Sequence, residues 1–155
     1  MTALTITVDD PGAEDVRAIV ARHLARARET TPPEGVFALP VEGLLDPAIT
    51  FFSARRDGVV VAIGALKELD ATHGELKSMH TLAEVRGQGI GRAIVEHLLA
   101  EARRRGYTRV SLETGSMDAF IPARKLYASV GFLPCERFGD YPESPTSAFM
   151  TLTLV

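Results

Sequence analysis

Three glycines within five residues, Gly87, Gly89 and Gly91, separate a strand-like segment from a strongly periodic helix. Glycine has no Cβ atom, so backbone N–H groups there can approach a ligand closely. The first N–H groups of a helix have no partner within the helix, and the helix dipole favours negative charge beside them. With Arg86 and Arg92 alongside, the segment suits a phosphate or pyrophosphate. A tight turn that only joins strand to helix is the alternative.

The spacing of these glycines excludes two common nucleotide-binding motifs. A P-loop requires a Lys-Ser or Lys-Thr pair after its glycines, and neither pair follows here. The dinucleotide fingerprint G-x-G-x-x-G fails because its third glycine would be Arg92 or Ile94. The pattern that fits is R-x-x-G-x-G, filled by Arg86, Gly89 and Gly91.

The segments on either side of the loop predict a crossover between two parallel strands. Residues 75–82 alternate like a strand, apolar residues recur at helical spacing over 90–105, and residues 109–113 are typical of a second strand. Such a strand, helix and strand form a right-handed βαβ unit. Strict alternation in the first strand predicts one face with Leu76, Ser78, His80 and Leu82 and the other with Lys77, Met79 and Thr81.

A second motif follows in residues 123–132, which read A-R-K-L-Y-A-S-V-G-F. It predicts a helix that ends before Gly131, with Phe132 as an apolar anchor and Pro122 in the first turn. The R-x-x-G-x-G loop and this A-x-x-x-Y-x-x-x-G-F segment, in this order, resemble the GNAT family of N-acetyltransferases. The resemblance covers roughly residues 74–133.

The resemblance implies an α/β (α+β) fold, in which a central mixed, mostly antiparallel sheet is splayed at the cofactor site and flanked by helices. The irregular, proline-rich segment 30–47 would then cover the acceptor pocket. We expect a single N-acetyltransferase domain over residues 1–155. The remaining predicted elements are strands at 4–8, 49–55, 59–69 and 149–154 and a helix that starts at Asp10-Pro11.

The resemblance also implies acetyl-CoA as co-substrate and no metal. In the family, the backbone amides of the glycine loop hold the pyrophosphate, and we expect the thioester carbonyl to rest on a backbone N–H of the splayed strand. Phe120 departs from the family pattern, because many members carry there an asparagine that contacts the cofactor. The residues expected to bind the cofactor are Met79, His80, Thr81, Arg86, Gly87, Gln88, Gly89, Ile90, Gly91, Arg92, Phe120 and Arg124.

An alkyl amine acceptor has a pKa of about 10.4, so it must lose a proton before it attacks a thioester. Glu75 occupies the position at which many relatives carry a catalytic glutamate, and we expect it to act as the base, directly or through one water. A solvated charge at the end of a strand is the alternative interpretation of Glu75. His80 is the second candidate base, although simple alternation places it on the face opposite Thr81.

Tyr127 matches the general acid of the family, which assists the departure of the CoA thiolate. Its phenol is protonated at pH 7 and can donate a hydrogen bond. Core packing is the alternative role for a tyrosine on an amphipathic helix. We expect direct transfer to an amine in a ternary complex, without an acyl-enzyme.

Two other functional classes remain open from the sequence. One is a non-catalytic acyl-CoA-binding sensor or interaction module with the same fold, which Phe120 favours but Glu75 and Tyr127 disfavour. The other is an unrelated nucleotide-binding α/β domain, which the glycine spacing disfavours. Arg55, Arg56, Asp140 and Tyr141 are candidates for shaping the acceptor pocket, each equally a surface or turn residue, and His23 is interpreted as a packing residue.

Composition limits the partners. A net charge of −3 argues against a general nucleic-acid binder, and no apolar stretch approaches the length of a membrane span. The lone Cys135 fits a reducing cytoplasm, and residues 1–6 do not resemble a secretory signal. We therefore expect a cytoplasmic enzyme, a monomer or homodimer, that acts on the amine of a small-molecule or amino-acid-like acceptor.

Overall fold

The computed structural model describes residues 3–154. Residues 1, 2 and 155 of the predicted domain, and with them the start of the segment 1–6, lie outside the described range. Within that range the chain forms seven strands and four α-helices. In chain order they are β1 (Leu4–Val8), α1 (Glu14–Thr30), α2 (Val41–Leu44), β2 (Ile49–Arg56), β3 (Val59–Asp70), β4 (His73–Thr81), α3 (Ile90–Arg104), β5 (Arg109–Gly115), α4 (Ile121–Val130), β6 (Leu133–Pro134) and β7 (Ser147–Thr153), with 3-10 turns at Pro33–Gly35, Ala83–Val85 and Asp118–Phe120.

The seven strands form one sheet in the order β1-β2-β3-β4-β5-β7-β6. Only β4 and β5 pair in parallel; the other neighbours are antiparallel, as predicted for a mixed, mostly antiparallel sheet. The parallel pairing runs from His73–Arg109 to Leu76–Leu112 and then stops. Because β4 continues to Thr81 and β5 to Gly115, a wedge opens between the two strands.

Apolar side chains pack on both faces of this sheet. On one face α3 contributes an apolar stripe at helical spacing, with Ile94 and Leu98 fully buried against the sheet. On the other face α1 packs Val16, Ile19 and Val20 against β2 and β3. Burial of each such side chain stabilises the fold by about 1.5–3 kcal/mol. The sheet that contains the wedge between β4 and β5 is therefore packed on both faces.

The predicted alternation along β4 is wrong beyond Lys77, because the strand contains a bulge. Ser78 has φ 55°, and Ser78 and Met79 together lie opposite the single residue Gly64 of β3. One extra residue shifts the alternation by one position. His80 therefore lies on the same face as Lys77, towards α1, while Leu76, Met79 and Thr81 lie towards α3.

The other differences from the predicted elements are small. Helix α1 begins at Glu14 rather than at Asp10-Pro11, and β4 begins at His73, two residues before Glu75. Strand β6 was not predicted, because two residues are too short to show a period-2 pattern. Within residues 3–154 no helix has both the length and the apolar character needed to cross a membrane.

Candidate active site

The glycine loop leads directly into α3. Gly87 and Gly89 have φ 80° and 79°, in the left-handed region that favours glycine, and Gly89 is the residue that caps the start of the helix. A Cβ atom at either position would meet no protein atom within 4 Å. The loop backbone is therefore open to a ligand, and the first turn of α3 carries no acidic side chain to neutralise its dipole.

A cleft of about 470 Å³ lies beside this loop, between the end of β4, α3 and α4. Tyr127 lines it from α4. Ten of the twelve residues predicted to bind the cofactor also line it, namely Met79, His80, Thr81, Arg86, Gly87, Gly89, Ile90, Gly91, Arg92 and Phe120.

The other two predicted cofactor residues have different contacts. Gln88 accepts a hydrogen bond from Arg56 (Nη1···Oε1 2.7 Å), and Arg124 donates from Nη1 to the carbonyl oxygens of Gly115 and Met117. Neither Gln88 nor Arg124 lines the cleft. Both side chains instead connect neighbouring segments of the fold around it.

Two guanidinium groups supply positive charge at the loop. Arg86 Nε donates to the Thr81 carbonyl oxygen over 3.3 Å, which keeps its side chain beside the end of β4. Arg92 pairs with Glu96 one turn along the helix and donates to Ser129 on α4. Because both arginines line the cleft, it carries positive charge of the kind that suits phosphate groups.

Tyr127 both packs and faces the cleft. Its ring contacts Phe132 edge-on, with centroids 5.9 Å apart, and the residue is only 7% exposed. Its hydroxyl makes no hydrogen bond to any residue that the structure describes. Burial raises the pKa of this phenol above its usual value, so the proton stays on the oxygen. The hydroxyl is consequently a free donor at the wall of the cleft.

A smaller cavity of about 90 Å³ lies over the wedge between β4 and β5. Lys77 and Ser78 line it from one strand and Glu113 from the other, while Phe37, in the irregular segment, and Tyr141 also contribute to its wall. His23, Ala27 and Phe120 line this cavity and the larger cleft alike, so the two spaces adjoin.

Glu75 is not a solvated charge, because only 2% of the residue is exposed. Its Oε2 atom accepts hydrogen bonds from the Tyr141 hydroxyl and from Lys77 Nζ, the latter over 3.2 Å. Lys77 Nζ also donates to the Tyr141 oxygen over 2.8 Å. These three residues form a closed polar group, which we call the Glu75 triad, beneath the small cavity.

Of two groups at this cavity, sequence reasoning missed Glu113 and named Tyr141 only among several candidates. Glu113 lines the cavity, and burial raises the pKa of its carboxyl above the usual range. Tyr141 was one of four candidates for the acceptor pocket and is the only one of them that lines it. Of the others, Arg55 pairs with Asp9 and Asp15 on the far edge of the sheet.

The bulge in β4 brings His80 against His23 of α1, with the two Nδ1 atoms 3.1 Å apart. The rings meet edge-on, with centroids separated by 5.2 Å. Burial lowers the pKa of each imidazole to about 4. Both rings are therefore neutral at pH 7, and one Nδ1–H donates to the other Nδ1 at the boundary of the two cavities.

The histidine pair should make the fold acid-sensitive. Each ring has a folded-state pKa of about 4 against 6.5 when unfolded, so the unfolded state binds more protons between these values. The contribution of the two neutral histidines to the free energy of unfolding is therefore fully present above pH 6.5. It falls as the pH decreases towards 4, by about 1–2 kcal/mol per histidine at pH 5. Urea unfolding at pH 7 and pH 5 measures the loss, which should be smaller in His80→Gln. An equal loss in the variant would contradict the assignment.

Comparison with known proteins identifies the family. The model of the Acetyltransferase (GNAT) family matches residues 17–132. The chain belongs to this family. A protein of Bacillus subtilis (strain 168) named Uncharacterized N-acetyltransferase YsnE is 48% identical over 96% of this chain and 99% of its own length. In Escherichia coli (strain K12), Uncharacterized N-acetyltransferase YedL is 42% identical over 97% and 94%. The IAA acetyltransferase of Azospirillum brasilense is 34% identical over 97% of each chain.

Solved structures agree with the GNAT fold. A Klebsiella pneumoniae protein assigned to the acyl-CoA N-acyltransferases superposes with a TM-score of 0.80 and 28% identity over 98% of both chains. A GNAT family acetyltransferase of Elizabethkingia anophelis, solved with acetyl-CoA bound, has a TM-score of 0.72 and 17% identity over 97% of this chain and 98% of its own. The predicted family, fold class and enzyme class are confirmed, with acetyl-CoA as the co-substrate of the family.

No group of three or more histidine, cysteine, aspartate or glutamate side chains within residues 3–154 is arranged to hold a metal ion. Acetyl-CoA fits the residues that are present, because the larger cleft combines open loop amides, a helix N-terminus and two arginines.

Proposed function

We propose that this GNAT enzyme transfers the acetyl group of acetyl-CoA directly to the amine of a small-molecule or amino-acid-like acceptor, in a ternary complex. The observation that carries the proposal is the meeting of two cavities at the wedge between β4 and β5. The larger one is suited to the donor and the smaller one, of about 90 Å³, to a compact acceptor. Both substrates can then be present at once, with their reacting atoms at the junction.

On the donor side, the amides of the loop at Gly87–Gly91 would hold the pyrophosphate, with Arg86 and Arg92 adding charge. The acyl arm would run along the cleft towards the open edge of β4, where Met79–Thr81 line the wall. A backbone N–H of that edge is suited to the thioester carbonyl, since β4 has no strand partner on the β5 side beyond Leu76.

Glu75 is the proposed base, on the acceptor side, and Tyr127 is the proposed acid, on the donor side. Glu75 lies in the triad beneath the small cavity, while Tyr127 presents a free hydroxyl in the cleft. His80 is the second candidate base, because the bulge turns it to the same face as Lys77. Its Nε2 is not bound to His23, but burial lowers the pKa of His80 to about 4, so at pH 7 it is a weaker base than the sequence indicates.

Cys135 does not support an acyl-enzyme route. It follows β6, lines neither cavity, and has a thiol whose pKa is raised by burial, so its thiolate is disfavoured. The proposal therefore keeps direct transfer. The cytoplasmic setting and the monomeric or homodimeric state stay proposals from the sequence.

Initial-rate measurements test the proposal. Thiol release from acetyl-CoA is followed with a panel of compact amines and amino acids, while both substrates are varied. Direct transfer in a ternary complex predicts reciprocal plots that intersect. Parallel plots would indicate an acyl-enzyme and would contradict direct transfer. A panel on which no amine stimulates thiol release would contradict the acceptor class.

Glu75→Gln should lower turnover by about 100-fold, because the amide keeps the shape of the carboxylate but does not accept a proton at neutral pH. Acetyl-CoA affinity, measured by calorimetry, should hardly change, since Glu75 does not line the donor cleft. Full turnover of this variant across pH would make Glu75 structural and would leave His80 or a water-mediated route as the base.

A further inference from the structure

The other two residues of the Glu75 triad, Lys77 and Tyr141, lie between the Glu75 carboxylate and the small cavity proposed for the acceptor. The Glu75 side chain is 3% exposed and does not line the small cavity, and both of its polar contacts are made by Oε2. Tyr141, in contrast, lines the cavity directly. Lys77 lines the cavity as well, but an ammonium group has no acceptor position, so within the triad the Tyr141 oxygen is the group that can take up a proton from an amine in the cavity.

Tyr141 is held rigidly in the position that such a transfer requires. Its ring packs edge-on against Phe37, Phe138 and Phe149, with centroids 5.3, 5.3 and 5.5 Å away. Its hydroxyl donates to Glu75 and accepts from Lys77. A phenol oxygen has two lone pairs, and Lys77 occupies one of them, so the oxygen can bind a new proton as its own hydroxyl proton moves to Glu75.

We propose that Tyr141 relays the proton of the acceptor ammonium to Glu75. The N–H bond of the ammonium breaks as its proton binds the Tyr141 oxygen, while the hydroxyl proton of Tyr141 moves to Glu75 Oε2. The products are a neutral amine, a neutral tyrosine and a neutral carboxylic acid, and Lys77 stays charged. This inference rests on the proposed function and adds a catalytic residue to it.

Two features favour a concerted relay. Burial and the carboxylates of Glu75 and Glu113 raise the pKa of Tyr141 far above its usual value, so a free phenolate is disfavoured and the two proton movements should coincide. The relay also converts an ammonium and a carboxylate into two neutral groups. Removal of these two charges relieves their desolvation cost, and Lys77, which loses its charged partner, keeps its hydrogen bond to the Tyr141 oxygen.

Tyr141→Phe tests the relay, because it removes the hydroxyl and retains the ring contacts. We expect kcat to fall by about 100-fold with acetyl-CoA affinity nearly unchanged. The lost hydrogen bond to buried Glu75 should lower the thermal midpoint by about a few degrees, as the corresponding loss should in the control. The loss of kcat should shrink for amines of lower pKa, which are already neutral at the assay pH. The matched control is Tyr107→Phe, which deletes another buried hydroxyl bonded to a glutamate, Glu68, away from both cavities. Its kcat should be that of the wild type.

A second test compares the turnover of Glu75→Gln, of Tyr141→Phe and of the double variant that carries both substitutions. If both residues act in one relay, the double variant should lose no more turnover than the more impaired single variant. Losses that multiply, or a Tyr141→Phe enzyme with wild-type kcat, would overturn the relay and leave the acetyltransferase proposal intact. A wild-type protein that acetylates no amine would overturn both.

Discussion

Gly89→Val should weaken the binding of acetyl-CoA by at least about 100-fold. At φ 79° a β-branched residue strains the backbone, and its side chain would project into the open space where the pyrophosphate is expected. Loss of two hydrogen bonds from backbone amides to a charged phosphate, at about 1.5–3 kcal/mol each, gives this magnitude. Calorimetric titration with CoA measures it.

Gly58→Val is the matched control. Gly58 lies in the turn between β2 and β3 with φ 78°, and a Cβ there also meets no atom within 4 Å. The substitution therefore carries the same backbone strain without touching the cleft. Both variants should lose similar stability, and only Gly89→Val should lose CoA affinity. Unchanged affinity in Gly89→Val, or an equal loss in both, would contradict the assignment of the loop to the pyrophosphate.

Tyr127→Phe should lower kcat by about 100-fold, with a much smaller effect on acetyl-CoA affinity. The hydroxyl has no hydrogen bond to a residue within 3–154, so its removal leaves no protein group without a hydrogen-bond partner. The ring contact with Phe132 remains. The demand for its proton arises as the thiolate departs, late in cleavage of the thioester. Thermal unfolding verifies that the fold survives.

The dependence on the leaving group separates an acid from a packing residue. A thioester of a more acidic thiol needs less help, so the loss caused by Tyr127→Phe should be smaller with such a donor. An identical loss with donors of high and low thiol pKa would instead assign Tyr127 to packing beside the cofactor.

The backbone geometry of the proposed donor side could be predicted because its determinants are local. The glycine loop and the first turn of α3 are one contiguous segment, and its φ values are those that glycine favours. Tyr127 and Gly131 lie on one helix at a fixed spacing, and Gly131 ends that helix with φ 120°. In both segments the backbone geometry follows from residue type over a few positions.

The acceptor side depends on contacts between distant segments. Tyr141 meets Glu75 across 66 residues, and His23 meets His80 across 57. The bulge at Ser78 determines which β4 side chains face α1, and serine has no strong preference for φ 55° that would reveal it in a sequence. The pairing of β4 with β3 imposes that conformation, so it becomes visible only in the folded chain.

Intact-mass spectrometry after rapid mixing tests direct transfer between the two cavities most directly. The protein is first incubated with excess acetyl-CoA alone, then mixed with an amine identified in the acceptor panel. The proposed ternary complex predicts no acetylated protein at any time, and one molecule of N-acetylated amine for each CoA released after mixing. An acetyl group that appears on the protein without the amine, and passes to the amine when it is added, would contradict direct transfer.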